Sequence, residues 1–113
     1  MNGELKMEDK LDKIFKNQAE LQKKYGLDIT TQEFRNNCTL ALIAEAMEAL
    51  DETPWKYWKK NQSYNEDLFK KEIVDIWHFL IALSMSAGLT AEDVYTLYVN
   101  KNEENKKRHD EGY

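Results

Sequence analysis

The chain has 113 residues, with one cysteine, one proline and four glycines, and its formal net charge at pH 7 is −5. This length fits one domain, residues 1–113, and so few prolines and glycines disfavour a strand-and-turn architecture. One cysteine excludes an internal disulfide, and the first residues lack the apolar stretch of a signal peptide, so we expect a cytoplasmic protein. The acidic balance argues against nucleic-acid binding. No apolar run reaches the roughly 18 residues that a membrane helix needs.

The first half of the sequence predicts two helices. Apolar positions three and four apart predict a first helix over about residues 4–25, which Gly26 ends. Thr30 and Glu33 have the spacing of a capping box, in which each side chain accepts a hydrogen bond from the other residue's backbone N–H. A second helix is therefore predicted to begin at Thr30 and to reach about residue 50, ahead of Pro54.

The second half predicts two more helices. Ser63 and Glu66 repeat the capping-box spacing and predict a third helix, which runs to about residue 87 and ends at Gly88. Thr90 then caps a fourth helix that reaches about residue 107. Long helices with short connections favour an all-α fold, an antiparallel bundle of about four helices.

The third predicted helix is apolar on more than one side. Residues 73–83 read IVDIWHFLIAL, which leaves little polar surface to face water. Four helices of this length do not cover such a helix completely. We therefore expect self-association into a homodimer or a higher homo-oligomer, with a symmetric dimer favoured.

Two acidic pairs lie inside apolar stretches of the second and third predicted helices. The partners in each pair, Glu45 with Glu48 and Glu72 with Asp75, are three residues apart and so share a helix face. Carboxylates among apolar side chains are costly unless a cation neutralises them, and the neighbours of these pairs are mostly Ala, Met, Ile, Val and Trp. We predict that the four carboxylates bind metal, with a structural ion-pair network as the alternative.

The ligand set indicates which metal would bind. All-oxygen ligands favour Mg²⁺, with Mn²⁺ as a substitute, over zinc. Mg²⁺ commonly shares its coordination shell with phosphates, which points to a nucleotide or another polyphosphate. Asp75 and His78 are spaced like half of a di-iron site, but such bundles carry the acid-x-x-His motif on two helices and here it occurs once. We expect His78 to be a hydrogen-bonded histidine beside the site.

With these residues, the chain resembles the dimeric all-α dUTPases, relatives of the MazG-type nucleotide pyrophosphatases. Besides the acidic pairs, the resemblance rests on KYWK at residues 56–59 and on KN-x-x-N-x-x-R-x-x-x-GY at residues 101–113. A further block contains Gln18 and Gln22, and Gln22 stands where the family usually has Asn. Many members also carry a long insertion between the third and fourth helices, where this chain has three residues, GLT.

The resemblance implies a role for each group of residues. Mg²⁺ would be held by Glu45, Glu48, Glu72 and Asp75. The phosphates and the sugar would be contacted by Lys101, Asn105, Arg108 and Tyr113. The base pocket would be formed by Gln18, Gln22 and Trp58. Among the carboxylates, we expect Glu48 to act as the catalytic base that takes a proton from the attacking water.

The expected function is Mg²⁺-dependent hydrolysis of a deoxynucleoside triphosphate, with dUTP as the first choice and dUMP and pyrophosphate as products. One alternative is a MazG-like pyrophosphohydrolase of dCTP or another nucleoside triphosphate. An alternative of another class is a non-catalytic helical assembly that only binds nucleotide or metal.

Overall fold

A computed structural model describes residues 8–112, and Tyr113 therefore lies outside the described residues. Four helices follow one another: α1 (Lys10–Lys24), α2 (Gln32–Asp51), α3 (Glu66–Ser86) and α4 (Ala91–Asp110). Within residues 8–112 the backbone forms no strand. The predicted all-α helical bundle is confirmed.

Local hydrogen bonds set where the helices begin, and two of the predicted caps were wrong. The side chain of Thr31, not Thr30, accepts from the backbone N–H of Phe34 and opens α2. The backbone N–H and the hydroxyl of Thr30 instead donate hydrogen bonds to the carboxylate of Asp28. At α3 the cap is Asn65 rather than Ser63. Several residues able to cap stand side by side at both places, so spacing alone could not choose between them.

The cap of α4 is the predicted one. The Thr90 hydroxyl accepts from the backbone N–H of Asp93, and the Asp93 carboxylate accepts from the backbone N–H of Thr90, both at 3.0 Å. Immediately before it, Gly88 has a φ of +82°, a left-handed conformation that glycine adopts without strain. The chain therefore leaves α3 and enters α4 within a few residues.

Helix α3 is the centre of the molecule, with α1 and α2 packed against it. The Arg35 guanidinium, near the start of α2, donates two hydrogen bonds to the backbone carbonyl of Ser86 at the end of α3, at 3.1 and 2.7 Å. Glu45 lies beside Glu72, so α2 and α3 run antiparallel. A small core joins α1, α3 and the first turn of α4, formed by Phe15, Ile81 and Ala91 with Leu11, Met85 and Val94 around them.

Much apolar surface stays uncovered in the single chain. Val74 and Trp77 on α3 are each more than half exposed, as are Leu40 and Ile43 on α2. The radius of gyration is 18.3 Å, against about 13 Å for a compact chain of this length. Among the described residues no single helix has the length and apolar character to cross a membrane; α3 and α4 meet these criteria together but are bent by 100° at their connection.

Candidate metal and nucleotide site

Both predicted acidic pairs meet where α2 packs against α3. One carboxylate oxygen from each of Glu45, Glu72 and Asp75 lies within 4.8 Å of the others. Glu48, one turn beyond Glu45, is exposed and close enough for its carboxylate to act on the protonation of Glu45. Antiparallel packing places the two i, i+3 pairs face to face, and we call these four carboxylates the acidic cluster.

The surroundings of Glu45 in the acidic cluster disfavour its ionised form. Partial burial raises the pKa of Glu45 most, and the neighbouring carboxylates of Glu72, Glu48 and Asp75 add to the effect, bringing it to about 7. Near neutral pH the Glu45 carboxyl therefore keeps its proton more readily than an ordinary glutamate does when no cation is bound. A bound cation reverses this preference, because it stabilises the ionised carboxylate.

The donor atoms of the acidic cluster fit a hard cation. Oε2 of Glu45 and Oε2 of Glu72 are buried, and no residue of the described part of the chain hydrogen-bonds to them. Unpartnered buried carboxylate oxygens carry a desolvation cost that a metal ion or a proton removes. Oxygen ligands only, contributed by carboxylates, are what Mg²⁺ and Mn²⁺ prefer.

A cavity of about 450 Å³ lies between α1, α2 and α3 beside the acidic cluster. Both predicted base-pocket glutamines, Gln18 and Gln22, line it, and so does Asp75 of the acidic cluster. The rest of its wall is mostly apolar and is formed by Leu21, Tyr25, Leu27, Phe34, Cys38, His78, Phe79 and Ala82. An apolar cavity with a few polar groups is typical of a pocket that holds a small ring.

Gln18 is held in one orientation by His78. The ring nitrogen Nδ1 of His78 lies 3.0 Å from Oε1 of Gln18, so the imidazole N–H donates and the amide oxygen accepts. The amide nitrogen of Gln18 is then the atom that can donate to a ligand. His78 stands outside the three-carboxylate group and bonds to an amide, as expected for a hydrogen-bonded histidine beside the site.

Gln22 lies in the same cavity and has no hydrogen-bond partner among residues 8–112. Its side chain is 4% exposed, and neither Oε1 nor Nε2 makes a hydrogen bond. Most buried amides in proteins are satisfied, so a buried glutamine with both amide atoms unpaired calls for an explanation. A ligand that fills the cavity and pairs with the amide provides one.

Of the remaining predicted site residues, those that the structure describes are not brought to the acidic cluster within one chain. Trp58 is 61% exposed in the segment between α2 and α3, where it packs edge-on against Trp55 and Tyr57. Lys101, Asn105 and Arg108 lie on α4 and are exposed. Lys101 and Arg108 both pair with Glu104 of their own helix, at 3.5 and 3.9 Å.

Several apolar residues of the cavity wall were not predicted, although the helix period could have found them. Phe79 and Ala82 follow Asp75 by four and seven residues, and Cys38 precedes Glu45 by seven. These intervals return to the same helix face. The helix face that carries each acidic pair, followed along its helix, therefore also carries residues of the cavity wall.

Fold and site together define a class: an all-α bundle with a carboxylate cluster beside a cavity suited to a small ring. Sequence comparison then gives the family. A family described as dUTPase matches residues 7–88. This region is most of the chain and includes both acidic pairs, Gln18 and Gln22. The chain belongs to this dUTPase family, and the predicted resemblance is confirmed.

Two curated relatives come from bacteriophages. The dCTP pyrophosphatase of Enterobacteria phage T4 is 32% identical over 98 residues, covering 76% of this chain and 57% of the relative. The dCTP pyrophosphatase of Enterobacteria phage LZ5 is 37% identical over 71 residues, covering 52% of this chain and 41% of the relative. The chain thus spans about half the length of the curated relatives it matches. No solved structure matches significantly.

Proposed function

We propose that this protein is a Mg²⁺-dependent nucleotide pyrophosphohydrolase that converts a deoxynucleoside triphosphate into its monophosphate and pyrophosphate. The observation that carries the proposal is the meeting of Glu45, Glu72 and Asp75 at the edge of a cavity that Gln22 also lines. Since Asp75 belongs to both, a ligand whose phosphates lie at the acidic cluster can place its base in the cavity. Membership of the dUTPase family supports the same reaction class.

In this proposal each carboxylate has a defined task. Glu45, Glu48, Glu72 and Asp75 would hold the metal. The metal held there would supply positive charge to offset the charge of the phosphates. The exposed Glu48 carboxylate accepts a proton from water as the water oxygen bonds to phosphorus and the bridging P–O bond breaks.

The base would be read by the two glutamines in different ways. Gln18, fixed by His78, offers its amide N–H groups to a base carbonyl, which uracil and cytosine both have. Gln22 has no partner that fixes its amide, so it can present either the oxygen or the nitrogen first. One orientation complements uracil, with an acceptor at O4 and a donor at N3. The opposite orientation complements cytosine, with a donor at N4 and an acceptor at N3.

We therefore propose dUTP as the first substrate, following the family, and dCTP as the second. The two phage relatives favour dCTP, because both are named dCTP pyrophosphatases. The test is pyrophosphate release from dUTP, dCTP, dTTP, dATP, dGTP and UTP with Mg²⁺, repeated in EDTA. EDTA-sensitive turnover of dUTP or dCTP supports the proposal and selects the substrate. With no turnover of any nucleotide, the non-catalytic assembly becomes the better hypothesis.

A Glu48→Gln variant tests the proposed base. It removes one ionisable oxygen at an exposed position, so the fold should persist while turnover falls by at least a hundredfold, the usual scale of general-base contributions. Glu20→Gln makes the same chemical change at an exposed position of α1 and should leave turnover unchanged. Turnover near the wild-type rate in Glu48→Gln would remove Glu48 from this role.

We also propose that the protein is a homodimer. The exposed apolar side chains of α2 and α3 form surface of the kind that a second copy covers. Light scattering coupled to size-exclusion chromatography should give twice the mass of the chain at micromolar concentration. A monomer mass under those conditions would contradict this assembly.

A further inference from the structure

The cavity between α1, α2 and α3 is larger than a pyrimidine base needs. Its volume is about 450 Å³. An apolar cavity of about 150 Å³ is enough to hold benzene, a single six-membered ring like that of uracil or cytosine. If the deoxyribose, also a single ring, takes an equal share, the cavity keeps room for a further group of similar size. The expected substrates therefore leave part of the cavity unfilled.

Two small side chains lie on the cavity wall away from the acidic cluster. Cys38 on α2 precedes Glu45 by seven residues, and Ala82 on α3 follows Asp75 by seven. Because α2 and α3 are antiparallel, both steps run in the same direction, and each spans about 10 Å along its helix. Both small side chains are buried. They leave space two helical turns from the metal ligands, where larger residues would fill it.

This part of the wall is apolar and uncharged. Burial raises the pKa of the Cys38 thiol, so the thiol keeps its proton at neutral pH. A protonated, buried cysteine behaves as a small apolar side chain, and Ala82 contributes only a methyl group. We call the space beside Cys38 and Ala82 the Cys38 recess. Its surroundings suit an apolar group and disfavour a charged one.

An independent observation points to a ligand in this cavity. Gln22 lines it and is 4% exposed, yet neither amide atom has a hydrogen-bond partner among residues 8–112. A buried amide left unpaired in this way is uncommon and indicates a missing hydrogen-bonding group. In the proposed function this amide pairs with N3 of the base and with the exocyclic group at C4. The next ring atom is C5, a carbon without a polar group, from which an apolar substituent can extend.

We propose that the Cys38 recess receives a substituent on C5 of the pyrimidine ring, and that Cys38 determines how large this substituent can be. The inference rests on the proposed function and names its substrate class. That class is pyrimidine deoxynucleoside triphosphates with a small apolar group at C5, alongside the unsubstituted ones. Gln22 does not reject such a group, because N3 and the exocyclic group at C4 are unchanged by it. One methylene group in an apolar pocket alters specificity by about 10–200-fold, so a single wall residue can decide the outcome.

Steady-state kinetics with a series of C5 substituents tests the proposal. The series is dUTP, dTTP, which carries a methyl group at C5, and 5-bromo-dUTP, all with Mg²⁺. If dCTP is the better substrate, the 5-methyl and 5-bromo derivatives of dCTP are used. For wild type, kcat/KM of the substituted nucleotides should stay within about tenfold of the parent, because the recess has room for the group. A larger loss would overturn the proposal.

Variants of Cys38 test whether this residue sets the limit. Cys38→Leu should lower kcat/KM at least tenfold more for the 5-bromo nucleotide than for its parent, because the added carbons occupy the recess. Cys38→Val adds less volume and should change this ratio in the same direction, which covers the case that leucine prevents folding. Cys38→Ala, the matched control, adds no volume and should keep the wild-type ratio. The same ratio in all variants would remove Cys38 from this role.

The position of the substituent can be measured without turnover. In crystals of the wild-type protein with Mg²⁺ and 5-bromo-dUMP, anomalous scattering locates the bromine. We expect it about 4 Å from Sγ of Cys38, the distance of an apolar contact. If wild type hydrolyses no nucleotide but the bromine lies there, the proposed function fails and the recess stands. A bromine elsewhere, or none bound, overturns the recess, while turnover of dUTP or dCTP would still support the proposed function.

Discussion

Replacing Gln22 by methionine should stabilise the protein and impair its function. The side chain is 4% exposed and both amide atoms are unpaired. An unsatisfied buried polar group costs about 1–3 kcal/mol, and methionine fills a similar volume without polar hydrogen-bonding atoms. Gln22→Met should therefore raise the free energy of unfolding by about 1 kcal/mol or more. For a domain of this size that corresponds to a rise in Tm of about 4 °C or more.

Gln18→Met provides the matched control, because it makes the same change in the same cavity at an amide whose oxygen accepts a hydrogen bond. Loss of the hydrogen bond to His78 should lower the free energy of unfolding by about 0.5–1.5 kcal/mol. The two variants should thus move stability in opposite directions in urea unfolding of the nucleotide-free protein.

The functional half of the prediction uses the same two variants. Both should show a smaller increase in Tm with Mg²⁺ and dUTP or dCTP than wild type, since each loses a contact to the base. A destabilised Gln22→Met would refute the reasoning, because it would mean that the amide has a partner in the free protein. A stabilised variant that kept its full nucleotide-dependent increase would place the base elsewhere.

Three further predictions concern single features of the structure. The pKa of Glu45 is raised from 4.5 to about 7, so between these pH values the folded chain holds a proton that the unfolded chain has lost. The free energy of unfolding, measured in urea with EDTA present, should therefore fall as the pH rises from about 4.5 to 7. Mg²⁺ binding at pH 7 should in turn release protons, measurable by titration calorimetry in two buffers of different ionisation enthalpy, and Glu45→Gln should reduce both effects. A flat stability profile in wild type would contradict the raised pKa. Arg35→Ala should cost about 1.5–3 kcal/mol in urea unfolding, because it removes both charged hydrogen bonds to the Ser86 carbonyl; an unchanged midpoint would mean that water caps α3 equally well. Thr90→Ala should cost about 1 kcal/mol by removing the cap of α4, while Thr90→Ser, which keeps the hydroxyl, should cost less.

The sequence predicted the two acidic pairs because the geometry of each pair is local. An i, i+3 pair shares a helix face wherever the helix lies, so Glu45 and Glu48, like Glu72 and Asp75, form pairs before any tertiary contact exists. Apolar neighbours indicated that both faces point toward other helices. The roles of these four carboxylates stay predictions until metal binding is measured.

Helix starts were predicted less well than helix interiors. The caps of α2 and α3 were each misplaced, by one residue at Thr31 and by two at Asn65, whereas Thr90 was placed correctly. Interiors depend on a pattern repeated over many residues, while a cap depends on one hydrogen bond among neighbours of similar chemistry.

The position of the α4 residues relative to the acidic cluster could not be predicted from the sequence. Their spacing predicts that Lys101, Asn105 and Arg108 share a face, and they do lie on successive turns of α4. Spacing does not contain the angle between helices. The 100° turn after α3 decides that this face and the acidic cluster are apart within one chain.

By itself, the sequence determined the helical class, the number of helices and the composition of each helix face. These properties follow from the 3.6-residue period and from where glycine and capping residues interrupt it. Only the tertiary structure decided that Gln18 bonds to His78, that Gln22 has no partner and that one cavity adjoins the acidic cluster. Those facts depend on distances between residues far apart in the chain, which are fixed when helices pack and not by the period of any one of them.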